Sequence, residues 1–275
     1  MLALILALAA DVTAETRVYK TAGDRELPLV VYADDSAGPR PCVIFYFGGG
    51  WVGGSAGQFE PHARHLAGLG VVGVTPTYRT KKSDGVQAVS CVEDAWDAYR
   101  YVLDHAEELG VDPARVAVGG GSAGGHLAAC LGTGTYPPGM TKTDDPRPAA
   151  MLLFNPAVCI APYDHVGTTY TPIGFEKGAT EARVGCDPVA LSPLHRVDAD
   201  TPPVVVFHGT GDTTVGIDSA ELFVRAVEAE PALLHKYAGR GHGFFNKGRA
   251  KRGEYKDTLK RTEAFLVSLG WLPRD

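Results

Sequence analysis

A serine hydroxyl is a weak nucleophile near neutral pH, so a chain that uses one must bring it a base and a third group to hold that base. Three positions in this sequence supply such a set. Ser122 lies in Gly120-Gly121-Ser122-Ala123-Gly124, a G-x-S-x-G run. Asp212 lies in His208-Gly209-Thr210-Gly211-Asp212-Thr213-Thr214-Val215, and His242 in Gly239-Arg240-Gly241-His242-Gly243-Phe244. The chemistry within their reach is acyl transfer. Ser122 attacks a carbonyl carbon, His242 takes the hydroxyl proton, and Asp212 orients the imidazole. The tetrahedral intermediate also needs N–H donors for its oxygen. Gly48-Gly49-Gly50-Trp51 offers backbone without Cβ atoms, so Gly49, Gly50 and the Ala123 amide are the expected oxyanion-hole donors.

These residues can cooperate only if the elements around them carry them to one edge. Cys42 to Phe47 is a continuous apolar run between Pro41 and the glycines, which suits a strand buried on both faces. Val71 to Tyr78, Arg115 to Gly119, Ala150 to Phe154, Val204 to His208 and Leu233 to Tyr237 read as further strands, and Arg17 to Lys20 and Leu27 to Tyr32 as an opening pair. Helices are expected over Phe59 to Leu69, from Ala123, over Ile217 to Glu228 and over Glu254 to Leu269. The clearest places Val89, Val92, Trp96, Tyr99, Val102, Leu103 and Ala106 on one face at three-to-four spacing. Alternating strands and helices imply a mostly parallel, twisted sheet covered on both faces. Ser122 then sits on a strand-to-helix turn, with Asp212 and His242 just past the C-terminal ends of two other strands, the edge where such sheets bind ligands.

Other polar residues have plainer roles. His126 falls one turn into the helix after Ser122 and reads as a packing or hydrogen-bonding residue, while His208 is expected to brace the Asp212 loop. His62, His65, His105 and His235 lack a catalytic context. Asp218 rivals Asp212 as the acid but lies inside the next helix. The glycine loop is not a phosphate cradle, because neither G-x-x-x-x-G-K-[ST] nor a helix-opening G-x-G-x-x-G is present.

A net charge of −6 and the lack of basic clusters argue against nucleic acid as a partner. Met1 to Ala10 is apolar but far short of the roughly 20 residues a membrane span needs. It resembles the apolar core of an export signal without a basic n-region, so residues 1–14 are expected to be a leader, residues 15–275 one domain, and the protein exported (periplasmic or secreted). The alternative is a helical turn packed on the body, with the protein cytoplasmic if the leader is not cleaved. Cys42, Cys91 and Cys130 fall in apolar patterns, whereas Cys159 and Cys186 share a loop-rich stretch and are candidates for pairing after export. Their wide spacing gives no metal site. From Asn155 to Thr201 the chain is rich in Pro, Gly, Thr and Tyr, the mark of an insertion (about 156–201) after the sixth strand.

The G-G-G-W loop, the G-G-S-A-G-G-H elbow, the H-G-T-G-D-T-T-V loop and the G-H-G-F-F-N loop together resemble the α/β-hydrolase esterases. The likeness runs from about Arg17 to Leu272 and is greatest to single-domain acetyl, acetylxylan or feruloyl esterases. Family members order the nucleophile, acid and histidine as this chain does. The resemblance implies hydrolysis of short-chain esters without a cofactor, on a small ester or an acylated oligosaccharide, with deacetylation of carbohydrate first and aryl esters second. Trp51, Tyr163, Tyr170 and Phe175 are the aromatic candidates for substrate binding, and equally for packing the insertion down. Phe47 stands where many relatives carry His, and Thr77 where they commonly carry Asp; the first departure puts the bracing of the glycine loop in question. Two other classes compete. A prolyl-oligopeptidase-like peptidase shares the elbow but needs a large extra domain, and a binding protein on this fold would normally lack one of the three residues. Activity is expected to fall below about pH 6, where a protonated histidine cannot act as base.

Overall fold

The structure is a computed structural model and describes residues 11–36, 38–172, 180–249 and 253–274. Strands β1 (Thr13–Ala22) and β2 (Arg25–Ala33) form a hairpin through the turn at Gly23, which takes φ 62°. Strand β3 (Arg40–Tyr46) follows, then helix α1 (Glu60–Ala67) and strand β4 (Val72–Pro76). Two helices, α2 (Lys81–Asp84) and α3 (Ala88–Asp104), lead into β5 (Val111–Gly121), which passes directly into α4 (Ala123–Gly132). Strand β6 (Ala150–Phe154) then opens the inserted stretch. Within it lie the short strands β7 (Tyr163–His165) and β8 (Thr168–Tyr170), a single helical turn α5 (Glu181–Val184), and 3₁₀ turns at Pro188–Leu191 and Pro193–Arg196. Strand β9 (Val204–Gly209), helix α6 (Ile217–Ala226), strand β10 (Ala232–Tyr237) and helix α7 (Glu254–Ser268) complete the chain.

Eight strands form one sheet in the order β1-β2-β4-β3-β5-β6-β9-β10. The pairs β1–β2 and β2–β4 are antiparallel and all the others parallel. The sheet is therefore mostly parallel, with an antiparallel edge at its N-terminal side. Its centre is apolar on both faces because successive side chains point opposite ways. In β3, Cys42, Ile44 and Tyr46 join the core under α3, α4 and α6, while Val43 and Phe45 join the core under α1 and α7. That two-sided burial explains the unbroken apolar run in the sequence.

Two boundaries differ from expectation. Thr13 and Ala14 pair with Ala33 and Tyr32, so the strand begins inside the expected leader; the remainder of that leader, Met1 to Ala10, lies outside the described residues. The inserted stretch is also more ordered than its composition implied, because β7 and β8 form a separate antiparallel hairpin. Cys159 and Cys186 do not pair. All five cysteines are free thiols, and Cys159 donates instead to the Ala161 carbonyl and Cys186 to that of Asp187. No helix among the described residues is long and apolar enough to cross a membrane.

Candidate active site

Strand β5 runs straight into the turn at Ser122, whose backbone sits at φ 55°, ψ −118°. A non-glycine residue there carries strain of order 1–3 kcal/mol and persists only when its surroundings hold it. Here the Ser122 amide donates to the Phe154 carbonyl at 3.0 Å, and the Ser122 carbonyl accepts from the amides of His126 (2.9 Å) and Ala157 (3.2 Å). The glycines of the motif follow from close packing. A Cβ at Gly120 would lie 2.5 Å from the carbonyl oxygens of Tyr46 and Gly124, and one at Gly124 2.0 Å from that of Tyr46.

His242 lies between the other two candidates. Its Nδ1 is 2.7 Å from Asp212 Oδ2 and its Nε2 is 2.8 Å from Ser122 Oγ. An ionised carboxylate only accepts, so Nδ1 carries the proton and Nε2 is left to accept from the serine hydroxyl. Asp212 is buried, and its second oxygen accepts from the amides of Thr214 (2.9 Å) and Val215 (3.0 Å). Burial alone would raise its pKa. The His242 bond and the two amides outweigh that and hold it below the ordinary carboxylate value, so Asp212 stays ionised. His208 is buried beneath this loop, with its Nδ1 3.2 Å from the Gly209 carbonyl that also receives the Asp212 amide. Asp218 is exposed in the first turn of α6, and His242 Nδ1 is bonded to Asp212 instead.

The glycine loop meets the elbow edge-on: a Cβ at Gly48 would stand 2.7 Å from the Gly121 carbonyl and 3.2 Å from the Ser122 Cβ. Three consecutive residues, Gly49, Gly50 and Trp51, have φ of 141°, 62° and 61°. At Gly49 only glycine fits, since a Cβ would lie 2.0 Å from the Gly53 carbonyl. The Gly49 carbonyl accepts from the amides of Val52 (3.1 Å) and Gly53 (3.3 Å). The trans peptide therefore points the Gly50 N–H the opposite way. The amides of Gly49, Gly50 and Ala123 donate to no group among the described residues, whereas the Gly48 amide is taken by Gln58 Oε1 at 2.6 Å. Free donors beside the Ser122 hydroxyl are what an oxyanion requires. The cleft they edge measures about 480 Å³ and is lined by Gln58, Asn155, Thr214, Asn246 and Arg249 together with Ser122 and His242. A profile described as alpha/beta hydrolase fold matches residues 43–246 of the sequence.

The chain belongs to the α/β-hydrolase family. Esterase 2 of Thermogutta terrifontis, solved phosphonylated by sarin, is similar over 95% of this chain and 97% of its own, with a TM-score of 0.84 and 37% identity. The butyrate-bound form of that esterase gives a TM-score of 0.83 at 37% identity, covering 95% of this chain and 96% of the other. Among curated sequences, the probable carboxylic ester hydrolase LipM of Mycobacterium tuberculosis is 29% identical over 245 residues, 86% of this chain. That match covers 56% of LipM, so this hydrolase-fold chain spans about half the length of that relative.

The aromatic candidates are not brought to the cleft together. Trp51 is buried under the glycine loop, with its indole N–H aimed at His126 Nδ1 (3.3 Å). The ring packs inward because the left-handed backbone turns it toward α4. Tyr163 and Tyr170 pair across the β7–β8 hairpin and pack on the core beneath it; neither lines this cleft. Phe175 lies outside the described residues.

Four residues near the site were not legible from the motifs. Tyr78 stacks on Phe47 at 3.9 Å and donates to the Phe47 carbonyl at 2.6 Å, which with Gln58 answers the question raised by the missing histidine. Asn155 accepts from the Gly243 amide at 3.0 Å and so anchors the His242 loop. Its position at the C-terminal end of β6 was a usable signal. Arg183, from the insertion, donates to the Gly50 carbonyl. Nothing in the local sequence marks Gln58 or Arg183.

Proposed function

We propose that this protein is a carboxylic ester hydrolase acting on short-chain esters through an acyl-enzyme on Ser122. The observation that carries the reading is the unbroken chain Asp212–His242–Ser122, at 2.7 and 2.8 Å, beside three amides that no described residue claims. Ser122 Oγ bonds to the ester carbonyl carbon as its proton passes to His242 Nε2. The resulting oxyanion accepts from the amides of Gly49, Gly50 and Ala123. Collapse of the intermediate breaks the carbon–alkoxide bond, and His242 returns the proton to the leaving alcohol. Water then attacks the acyl carbon with His242 again as base, and Ser122 leaves with the proton as the free acid departs. Asp212 remains ionised throughout and stabilises the imidazolium.

Two observations favour small acyl groups on a polar alcohol. The similar Thermogutta terrifontis esterase was solved with butyrate bound, which supports a short acid side. The cleft wall sets the polar side chains of Gln58, Asn155, Thr214, Asn246 and Arg249 beside Phe245 and glycine backbone, and the polar groups suit a hydroxylated alcohol such as an acetylated sugar. The aromatic candidates named from the sequence are not needed for this reading. Export is proposed on the apolar N-terminus alone, and appearance of the full-length protein only in the cytoplasm on fractionation would reject it. The purified protein is expected to hydrolyse p-nitrophenyl acetate with a higher kcat/KM than the octanoate, and acetylated xylo-oligosaccharides faster than feruloylated ones. No release from any ester, with Ser122 unreactive to an organophosphonate, would reject the whole reading.

A further inference from the structure

Arg183 sits on the single turn α5 inside the insertion, 133 residues from the glycine loop, yet it grips that loop twice. Its Nη2 donates to the Gly50 carbonyl at 2.7 Å, and its guanidinium lies over the Trp51 ring, 5.5 Å from the centroid. Gly50 and Trp51 are the two consecutive residues held at φ near 60°. The Gly50 carbonyl belongs to the peptide that joins them, so a donor on this oxygen fixes the rotation on both sides of it. Trp51 is a residue that resists this backbone, and its ring is fixed from two directions, by Arg183 over it and by His126 at its N–H. The insertion reaches His126 as well, because His126 Nε2 lies 2.8 Å from the Leu191 carbonyl. Among the described residues no carboxylate pairs with Arg183, and the contacts it makes there are with the Gly50 carbonyl and the Trp51 ring. The planar fork donates to an oxygen and stacks on a ring at once, which a lysine cannot reproduce.

We infer that Arg183 is a positioning residue for the oxyanion hole, through which the insertion holds the Gly49 and Gly50 amides in their working direction. This rests on the esterase reading for its kinetic consequence, but the loop restraint stands without it. An amide that points wrongly by a fraction of its bond length stabilises the transition state less while leaving ground-state binding nearly intact. Loss of the Arg183 side chain therefore lowers kcat and spares KM.

The test compares wild type, Arg183→Met and Arg183→Lys in the full chain, with p-nitrophenyl acetate kinetics and hydrogen exchange of the 48–54 segment. Arg183→Met is expected to lose about 30-fold in kcat with KM within about twofold. Added guanidinium chloride at millimolar concentration should restore part of the loss, and Arg183→Lys should fall between. Exchange at 48–54 should speed up in Arg183→Met while the β5 and β6 segments keep their rates. An unchanged kcat, or a loss confined to KM, overturns the inference, as does unchanged exchange at 48–54. If the wild type itself hydrolyses no ester, the functional reading fails, and the exchange result alone then decides whether Arg183 restrains the loop.

Discussion

The nucleophile elbow and the glycine loop touch each other, yet they are held in place by different means. At the elbow the fixing bonds are backbone to backbone: Ser122 to Phe154, His126 to Ser122 and Ala157 to Ser122. The glycines of the motif leave no room for a Cβ, so the turn is locked by the sheet itself. The glycine loop is held largely by side chains from elsewhere. Gln58 takes the Gly48 amide, Tyr78 donates to the Phe47 carbonyl and Arg183 to that of Gly50, with backbone help from Lys81 and Lys82 onto Trp51 and Val52. Half of the reacting geometry is thus a property of the fold, and half of a few removable contacts. Substitutions should be able to misalign the loop without unfolding the protein, while the elbow should yield only to changes in its own residues.

The sharpest division comes from the elbow side. Ser122→Ala removes the proposed nucleophile, and kcat for aryl acetates should fall by about 10⁶ with melting temperature unchanged. Asp212→Asn removes the charge that keeps the imidazole in its working tautomer, at a cost of about 10⁴ in kcat. On the loop side the losses should be graded. Gln58→Leu leaves the Gly48 amide without its partner and should lower kcat about 20-fold, with KM nearly constant. Tyr78→Phe keeps the stacking on Phe47 and removes one hydrogen bond, for a loss of about threefold. A Tyr78→Phe variant as damaged as Asp212→Asn would break the comparison, since it would make the loop as rigidly integrated as the elbow.

The smallest effect concerns stability on the opposite face of the sheet. His62 is buried among Phe45, Phe59, Phe154, Phe245 and Tyr255, and neither ring nitrogen has a hydrogen-bond partner among the described residues. Burial, with His65 nearby, pushes its pKa down from 6.5 to about 3. Between those values the unfolded chain binds a proton that the folded one refuses. Stability therefore falls as pH drops below about 6.5, by up to about 1.4 kcal/mol per pH unit, and this loss levels off near pH 3. His126, held at about 4 by burial against the bond to Leu191, adds a loss of the same sign. His62→Phe should raise the melting temperature slightly at pH 7 and by more at pH 5, measured by calorimetry. An equal shift at both values would mean that His62 does not contribute to acid sensitivity.

Much of this molecule was legible before its structure, for a physical reason that particular residues make clear. The two-sided burial of β3 appears as an unbroken apolar run, and the face of α3 appears at helical spacing, because both patterns arise from local backbone geometry. The elbow was legible for the same reason: Gly120 and Gly124 are demanded by contacts that every such turn makes. Asp212 and His242 were found because each follows a strand, and parallel strands end at one edge. The sequence by itself therefore determined the eight strands of the main sheet, the longer helices, their order along the chain and the three residues at that edge. Only the tertiary structure decided what holds the glycine loop, that Trp51 turns inward, and that Cys159 and Cys186 remain apart. Those outcomes depend on contacts between distant segments, such as Arg183 with Gly50, and on which way a left-handed backbone aims a ring. No local pattern encodes either, because the energy of such contacts exists only once the chain has folded back on itself.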